Sequence, residues 1–129
     1  MICADTSVWI AALRDHTTPT AVHLAELVEA DEVVVPVPVR IEVLAGAPKR
    51  ELAAVADGFL GLVSAVPGLA TWEKVEEWVA ESVAAGQRFG VVDLLIAAIA
   101  AERDASLWSL DGAFARMQKL GFVELHAGP

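Results

Sequence analysis

Residues 94–101 are apolar at every position, and this stretch constrains the fold more than any other part of the chain. A helix without a polar face has no side to present to water, so it must lie inside the protein. One carboxylate, that of Asp93, stands at its beginning, shortly after Gly90. Asp is common at the N-cap and in the first turn of helices, so we expect this helix to begin near Val92 or Asp93. Helix capping alone would account for Asp93 if no other acids accompanied it.

The length and composition predict one globular domain over residues 1–129. A chain of this size buries roughly two-thirds of its unfolded surface, which is enough for a core. Hydrophobic residues make up 56% of the sequence, but they are spread along the chain. No apolar run reaches the ~20 residues needed to cross a bilayer. The N-terminus has no basic region and reaches Asp5 early, which is unlike a signal peptide. We therefore expect a cytoplasmic protein with no membrane association.

The net charge of −9 argues against binding nucleic acid through a broad basic surface, although a local site could still bind it. The surplus of acids suits a basic protein partner or divalent cations, and an ordinary acidic surface is the alternative. Cys3 is the single cysteine, and in its apolar segment it is expected to be a buried, inert thiol. The histidines have no partner at metal-ligand spacing and are expected on the surface; they are His16, His23 and His126.

Short apolar segments alternate with helical patterns along the chain. Strands are predicted at residues 2–4, 33–35 and 106–110, with an edge strand at 63–66 and a half-exposed strand at 122–126. Further helices are predicted at residues 7–13, 21–30, 39–45, 50–63, 72–87 and 113–120, with Thr71 as the N-cap of the fifth. This alternation predicts an α/β fold, a doubly wound sheet that is mainly parallel and has helices on both faces.

Four acids stand where such a sheet binds ligands, outside the carboxyl ends of its strands. Asp5 follows the first strand and Asp111 follows the strand at 106–110, while Glu42 lies in the helix after the second strand. Asp93 begins the buried helix, so all four can converge on one edge. Clustered like charges are unfavourable unless something neutralises them, and carboxylate oxygens suit Mg²⁺ or Mn²⁺. Such ions promote in-line phosphoryl displacement, which is nuclease chemistry.

These residues occur in four motifs: Asp5-Thr6-Ser7, Glu42, Gly90-Val-Val-Asp93 followed by Leu-Leu-Ile-Ala-Ala, and Ser109-Leu-Asp111 with Phe114. Their order and spacing closely resemble the PIN domain family, in the branch of VapC toxins, from Met1 to about His126. The resemblance implies a Mg²⁺- or Mn²⁺-dependent endoribonuclease whose catalytic and metal-binding acids are Asp5, Glu42, Asp93 and Asp111. It also implies a toxin of a type II toxin–antitoxin pair, a homodimer, an RNA substrate, and a VapB-like antitoxin that wraps the toxin and blocks its site.

The same resemblance places three hydroxyls beside the acids, those of Thr6, Ser7 and Ser109. They could orient a carboxylate, a water or a phosphate, and the alternative is helix capping and turn formation. One departure concerns positions at which some relatives carry a further acid, because this chain has Ala97 and Gly112 there. A second metal ion is therefore expected to bind weakly, or only together with RNA.

Candidate contacts for RNA phosphates are four arginines near the predicted edge, and ordinary surface positions are the alternative; they are Arg14, Arg40, Arg88 and Arg116. Among rival classes, a haloacid-dehalogenase-like phosphatase needs an Asp where Ser7 stands, and Gly-rich nucleotide-binding loops are absent. The serious rival is a PIN-fold protein that is catalytically silent and serves as a binding module. The complete set of four acids argues against it, and an RNA cleavage assay with Mn²⁺ decides between the two.

Overall fold

Strands and helices alternate along the whole of the computed structural model, which describes every residue from Met1 to Pro129. The strands are β1 (Ile2–Ala4), β2 (Val34–Pro36), β3 (Val63–Ala65) and β4 (Ser106–Trp108). The helices are α1 (Thr6–Arg14), α2 (Pro19–Glu29), α3 (Val37–Gly46), α4 (Leu52–Leu60), α5 (Leu69–Ala84), α6 (Val91–Glu102) and α7 (Ala113–Lys119). The predicted α/β class is confirmed.

The strands are short and parallel. β1 pairs with β4 and β2 pairs with β3, and a parallel bridge between Ile2 and Val33 brings the two pairs side by side. This gives the order β3-β2-β1-β4, with β3 at the edge as predicted. Beyond β4, the predicted last strand is reduced to one parallel bridge between Leu107 and Leu125. Because the strands run in one direction, their carboxyl ends all meet at one edge of the sheet, which is where ligands bind in such folds.

Helix α6 lies in the centre of the protein, as its apolar sequence requires. Every residue from Leu94 to Ala100 is buried, and these side chains form part of one core with the strands and the inner faces of the other helices. A helix buried on all sides cannot be displaced without opening the core. Its first turn, which carries Asp93, emerges from the core at the sheet edge, where Val91 and Val92 are exposed.

Several helices begin one to three residues earlier than predicted, and in two of them the shift changes which residue is the cap. Helix α6 starts at Val91 with Gly90 as its N-cap, so Asp93 lies inside the first turn and is not the cap. Helix α5 starts at Leu69, and the predicted cap Thr71 is instead its third residue. The Thr71 hydroxyl accepts a hydrogen bond from the Gly68 N–H (3.0 Å) and donates one to Glu102 (2.7 Å). Thr71 thus supports the start of α5 from inside the helix and also joins α5 to the end of α6, a tertiary contact that the local pattern does not predict.

The prediction that all histidines are simple surface residues is wrong for two of them. His23 of α2 and His126 approach with their Nε2 atoms 2.8 Å apart and their ring planes 4° apart. The ring centroids are 5.1 Å apart, so the rings meet edge to edge through one hydrogen bond, in which one Nε2 donates and the other accepts. The Trp108 ring contacts both edge to face. This pair fastens α2 to the C-terminal segment, while His16 is exposed. No helix in the structure is long and apolar enough to span a membrane.

Candidate acidic active site

Asp5 occupies the most constrained position at the carboxyl edge. It follows β1 directly, its N–H donates to the Trp108 carbonyl (2.8 Å), and its side chain caps α1 through the Val8 N–H (3.2 Å). The hydroxyls of Ser7 and Ser109 each donate to a different oxygen of the carboxylate, both at 2.5 Å. The residue is only 4% exposed. Burial raises the pKa of the Asp5 carboxyl, and these hydrogen bonds act in the opposite direction.

The two serines also hold the loop after β4. Ser7 accepts a hydrogen bond from the Leu110 N–H (3.0 Å), and Ser109 accepts one from the Asp111 N–H (2.8 Å). Asp111 in turn accepts from the Ala113 N–H (3.0 Å) at the start of α7. The hydroxyls therefore combine both roles considered for them, because they orient a carboxylate and form the turn that carries the next acid.

Glu42 comes to the edge from the second turn of α3. Its carboxylate is exposed and accepts a hydrogen bond of 2.7 Å from the Thr6 hydroxyl, which stands at the start of α1. The two residues are 36 positions apart in the chain, so this contact exists only because α1 and α3 pack side by side. Thr6 thus links Glu42 to the segment that carries Asp5.

Asp93 is the acid with the least support. Its carboxylate is half-buried at the start of α6, and no hydrogen bond stabilises its charged form. Burial raises the pKa of the Asp93 carboxyl, and repulsion from Asp111, Glu42 and Asp5 raises it further. These interactions place the other three acids within electrostatic reach of Asp93. The structure therefore brings the four predicted acids to one edge.

The donor set fits a divalent cation. No Lys or Arg lies within 4.0 Å of a carboxylate in the protein, so none forms a salt bridge with the four acids. All available ligands are carboxylate or hydroxyl oxygens, which hard ions such as Mg²⁺ and Mn²⁺ prefer. No three of these side chains are already arranged to hold an ion, so binding requires rotation of the less constrained acids. Ala97 and Gly112 stand where some relatives carry a further acid. Ala97 is buried and Gly112 precedes α7, and neither has a side-chain oxygen that could bind a metal ion.

The four candidate arginines differ in their surroundings. Arg14 ends α1, roughly 12 Å along the helix axis from Thr6. Arg40 donates to the Ser64 hydroxyl (3.0 Å) on β3. Arg88 is exposed in the turn before α6. Arg116 is held by a hydrogen bond and by an aromatic ring in that same turn. Arg40 thus shares α3 with Glu42, Arg88 and Arg116 lie in or against the turn that leads to Asp93, and Arg14 lines a groove on another side of α1.

A groove in the protein lies away from the acids. It is a groove of about 720 Å³ between α1, α3 and α4, and its lining includes Trp9, Leu13, Val55 and Phe59, with Arg14 among the polar residues. The Trp9 and Phe59 rings contact each other edge to face with centroids 5.0 Å apart. The Trp9 Nε1–H is buried without a hydrogen-bond partner. Sequence reasoning did not find this groove, because its walls come from helices that each look like ordinary amphipathic ones.

The fold and its acidic edge define a class of protein, a parallel α/β domain with carboxylates gathered beyond the strand ends. The model of the PIN domain family matches residues 2–120. Because this match covers most of the chain, the protein belongs to the PIN domain family, as its motifs predicted.

Solved structures of toxin–antitoxin proteins share this fold over nearly the whole chain. VapBC2 from Rickettsia felis, bound to a DNA fragment from their promoter, has a TM-score of 0.81 at 21% identity, covering 98% of both chains. VapC20 from Mycobacterium tuberculosis, a Sarcin-Ricin loop cleaving toxin, has a TM-score of 0.70 at 23% identity and full coverage of both. VapBC-5 from the same organism reaches 0.67 at 26% identity, covering 95% of this chain and 94% of that one. No curated protein sequence matches this chain.

Proposed function

We propose that this protein is the toxin of a type II toxin–antitoxin pair and that it cleaves RNA as a Mg²⁺- or Mn²⁺-dependent endoribonuclease. The observation that carries the proposal is the state of Asp93, a half-buried carboxylate facing three other acids with no cation and no hydrogen bond to offset its charge. An unpaired carboxylate in this position lowers the stability of the folded protein. A function that requires the carboxylate explains why it is present. Membership of the PIN domain family and the likeness to VapC toxins support the same conclusion.

The four acids differ in how firmly hydrogen bonds hold their side chains, and we assign their roles from that difference. Asp5 is locked by two serine hydroxyls and by a backbone N–H, so it provides a fixed point, while Glu42, Asp93 and Asp111 complete the ligand set. In-line attack of water on a phosphodiester develops negative charge, and offsetting that charge is the chemistry that bound divalent ions supply. A carboxylate at this edge would accept the proton that the attacking water loses. The products are a 5′-phosphate and a 3′-hydroxyl.

Covalent routes have no support in the structure. Cys3 is buried, and burial raises the pKa of its thiol to about 12, so the thiolate needed for attack is not formed near neutral pH. Both histidines that have a defined partner lie in the pair that joins α2 to the C-terminal segment, and neither is hydrogen-bonded to a serine. The serines at the acidic edge are instead bonded to Asp5.

The proposal extends to partners and to the place of action. We infer one PIN domain over residues 1–129, acting in the cytoplasm as a homodimer and held inactive by a VapB-like antitoxin. The groove beside Trp9 offers apolar walls, which suit a hydrophobic segment of the antitoxin. The net charge of −9 suits an antitoxin that brings a basic side chain to the acids.

An RNA cleavage assay tests the activity. The purified protein should cleave RNA with Mg²⁺ or Mn²⁺, stop in EDTA, and lose activity in Asp5→Asn and Asp111→Asn, while Arg103→Gln, an exposed change at the far end of α6, serves as the control. Equal cleavage in EDTA would refute the metal mechanism. The absence of a ready three-ligand cluster favours the second candidate, a catalytically silent binding module, and RNA that stays intact at saturating Mn²⁺ would establish it.

A further inference from the structure

Arg116 connects the two segments that carry the least supported acids. It lies on the exposed side of α7, the helix that begins directly after Asp111 and Gly112. Its guanidinium reaches the turn between α5 and α6, where Nη1 donates to the Gln87 side-chain oxygen at 2.7 Å. The guanidinium carbon also lies 4.9 Å from the centre of the Phe89 ring. Asp93 follows this turn by one turn of helix.

The turn has little other support. Helix α5 ends at Ala84, the positive φ of Gly86 (74°) then reverses the chain, and residues 87–90 have no regular structure before α6 begins. The Gln87 N–H still bonds back to Ser82, but the bond from Arg116 is the single side-chain hydrogen bond that this turn receives from another element. The partly buried Phe89 ring anchors the turn to the core. Arg116 therefore holds the turn from outside while Phe89 holds it from within.

We propose that Arg116 is a positioning residue for the acidic site: through Gln87 and Phe89 it sets the separation of Asp93 and Asp111, and thereby the affinity of the site for a divalent cation. This inference rests on the proposed function. It differs from the sequence-based hypothesis that Arg116 contacts RNA phosphates, because the guanidinium acts through the protein. Arginine is suited to this role since its planar fork can donate to an amide while its face covers a ring, and lysine cannot do both.

The test measures Mn²⁺ binding without RNA. We expect Arg116→Met, which keeps the length that covers Phe89, to weaken Mn²⁺ affinity about 10-fold, the lower range for loss of a residue that orients metal ligands. Gln87→Leu should weaken it similarly, and the double variant should be no worse than either single one, because both changes remove the same bond. Arg116→Lys should not restore affinity. Arg88→Gln, an exposed change in the same turn, is the matched control and should bind Mn²⁺ like the wild type.

Kinetics separate the two roles of Arg116. A positioning residue predicts that Arg116→Met recovers cleavage at high Mn²⁺ with its KM for RNA unchanged. A phosphate contact predicts the reverse, a raised KM with a weaker salt dependence and an unchanged affinity for Mn²⁺. That second result would overturn the inference.

Amide hydrogen exchange tests the contact of Arg116 with the turn independently of metal binding and RNA cleavage. In the metal-free protein, Arg116→Met should speed exchange of the two hydrogen-bonded amides that flank the turn, those of Gln87 and Leu94, and leave exchange in the centre of α6 unchanged. If the wild type binds no Mn²⁺, the proposed metal site fails and the role of Arg116 in cation affinity fails with it. Unchanged exchange at these two amides would instead refute the holding contact while leaving the proposed function intact.

Discussion

Replacing Asp93 with Asn tests whether this carboxylate is kept for chemistry or for structure. The change removes one negative charge from a site that contains three other acids, and it preserves the size of the side chain. Asp93 does not cap α6, since Gly90 occupies the N-cap position, so no capping hydrogen bond is lost. The neutral amide also escapes the burial that disfavours the charged carboxylate. We therefore expect the metal-free variant to be more stable than the wild type at neutral pH.

The expected gain in stability is small because the Asp93 side chain is partly exposed to water. Interactions between half-exposed charges are screened by water and contribute about 0.2–1 kcal/mol each, so relief of this repulsion amounts to about 1 kcal/mol in total. For a domain of this length, that corresponds to a melting temperature higher by about 4 °C. The sign depends on pH: a carboxyl whose folded pKa is raised destabilises the protein above that pKa and ceases to do so as pH falls through the unfolded value near 3.9. The gain from Asp93→Asn should therefore shrink in acid.

Mn²⁺ reverses the order of stability. At a concentration 100-fold above its Kd, a ligand that binds only the folded state stabilises it by about 2.7 kcal/mol, or roughly 10 °C for this chain. The wild type should gain this stabilisation, and Asp93→Asn should lose most of it together with cleavage and toxicity. Thermal melts with and without Mn²⁺, alongside a metal-titrated RNA cleavage assay, measure both effects. An Asp93→Asn protein that still cleaves RNA, or that is less stable than the wild type without metal, would refute the reasoning.

Two further predictions concern contacts away from the acids. The natively expressed protein should co-purify with a small antitoxin, and Trp9→Ala should weaken that complex by removing a wall of the groove. Purification without any small partner would contradict the prediction. Burial, and then repulsion from His23, lower the pKa of His126, while Glu32 acts in the opposite direction. Because the unfolded state then takes up the proton more readily, stability should fall as pH drops through about 6.5 towards the folded pKa. Between about pH 7.5 and 5.5, the range where histidine titrates, the melting temperature should fall less in His126→Gln than in the wild type. An equal fall in both proteins would show that His126 does not contribute to the pH dependence of stability.

Several features of the fold were predictable because they depend on local pattern. The alternation of strands and helices, the burial of residues 94–101 and the placement of acids after strand ends all follow from periodicity and from the direction of parallel strands. Where local and tertiary signals compete, the local prediction failed. Thr71 is a favourable N-cap by its chemistry, yet its hydroxyl is used between α5 and Glu102, and α5 begins at Leu69 instead.

By itself, the sequence determined the class of fold, the order of its elements and the identity of the four acids at its edge, because hydrophobic periodicity and strand direction are properties of short segments. Only the tertiary structure decided which side chains support those acids and which do not. The Ser109 bond to Asp5, the Thr6 bond to Glu42 and the Arg116 bond to Gln87 join residues 104, 36 and 29 positions apart. Such pairs leave no periodic signal in one sequence, since their distance is set by how helices pack on the sheet.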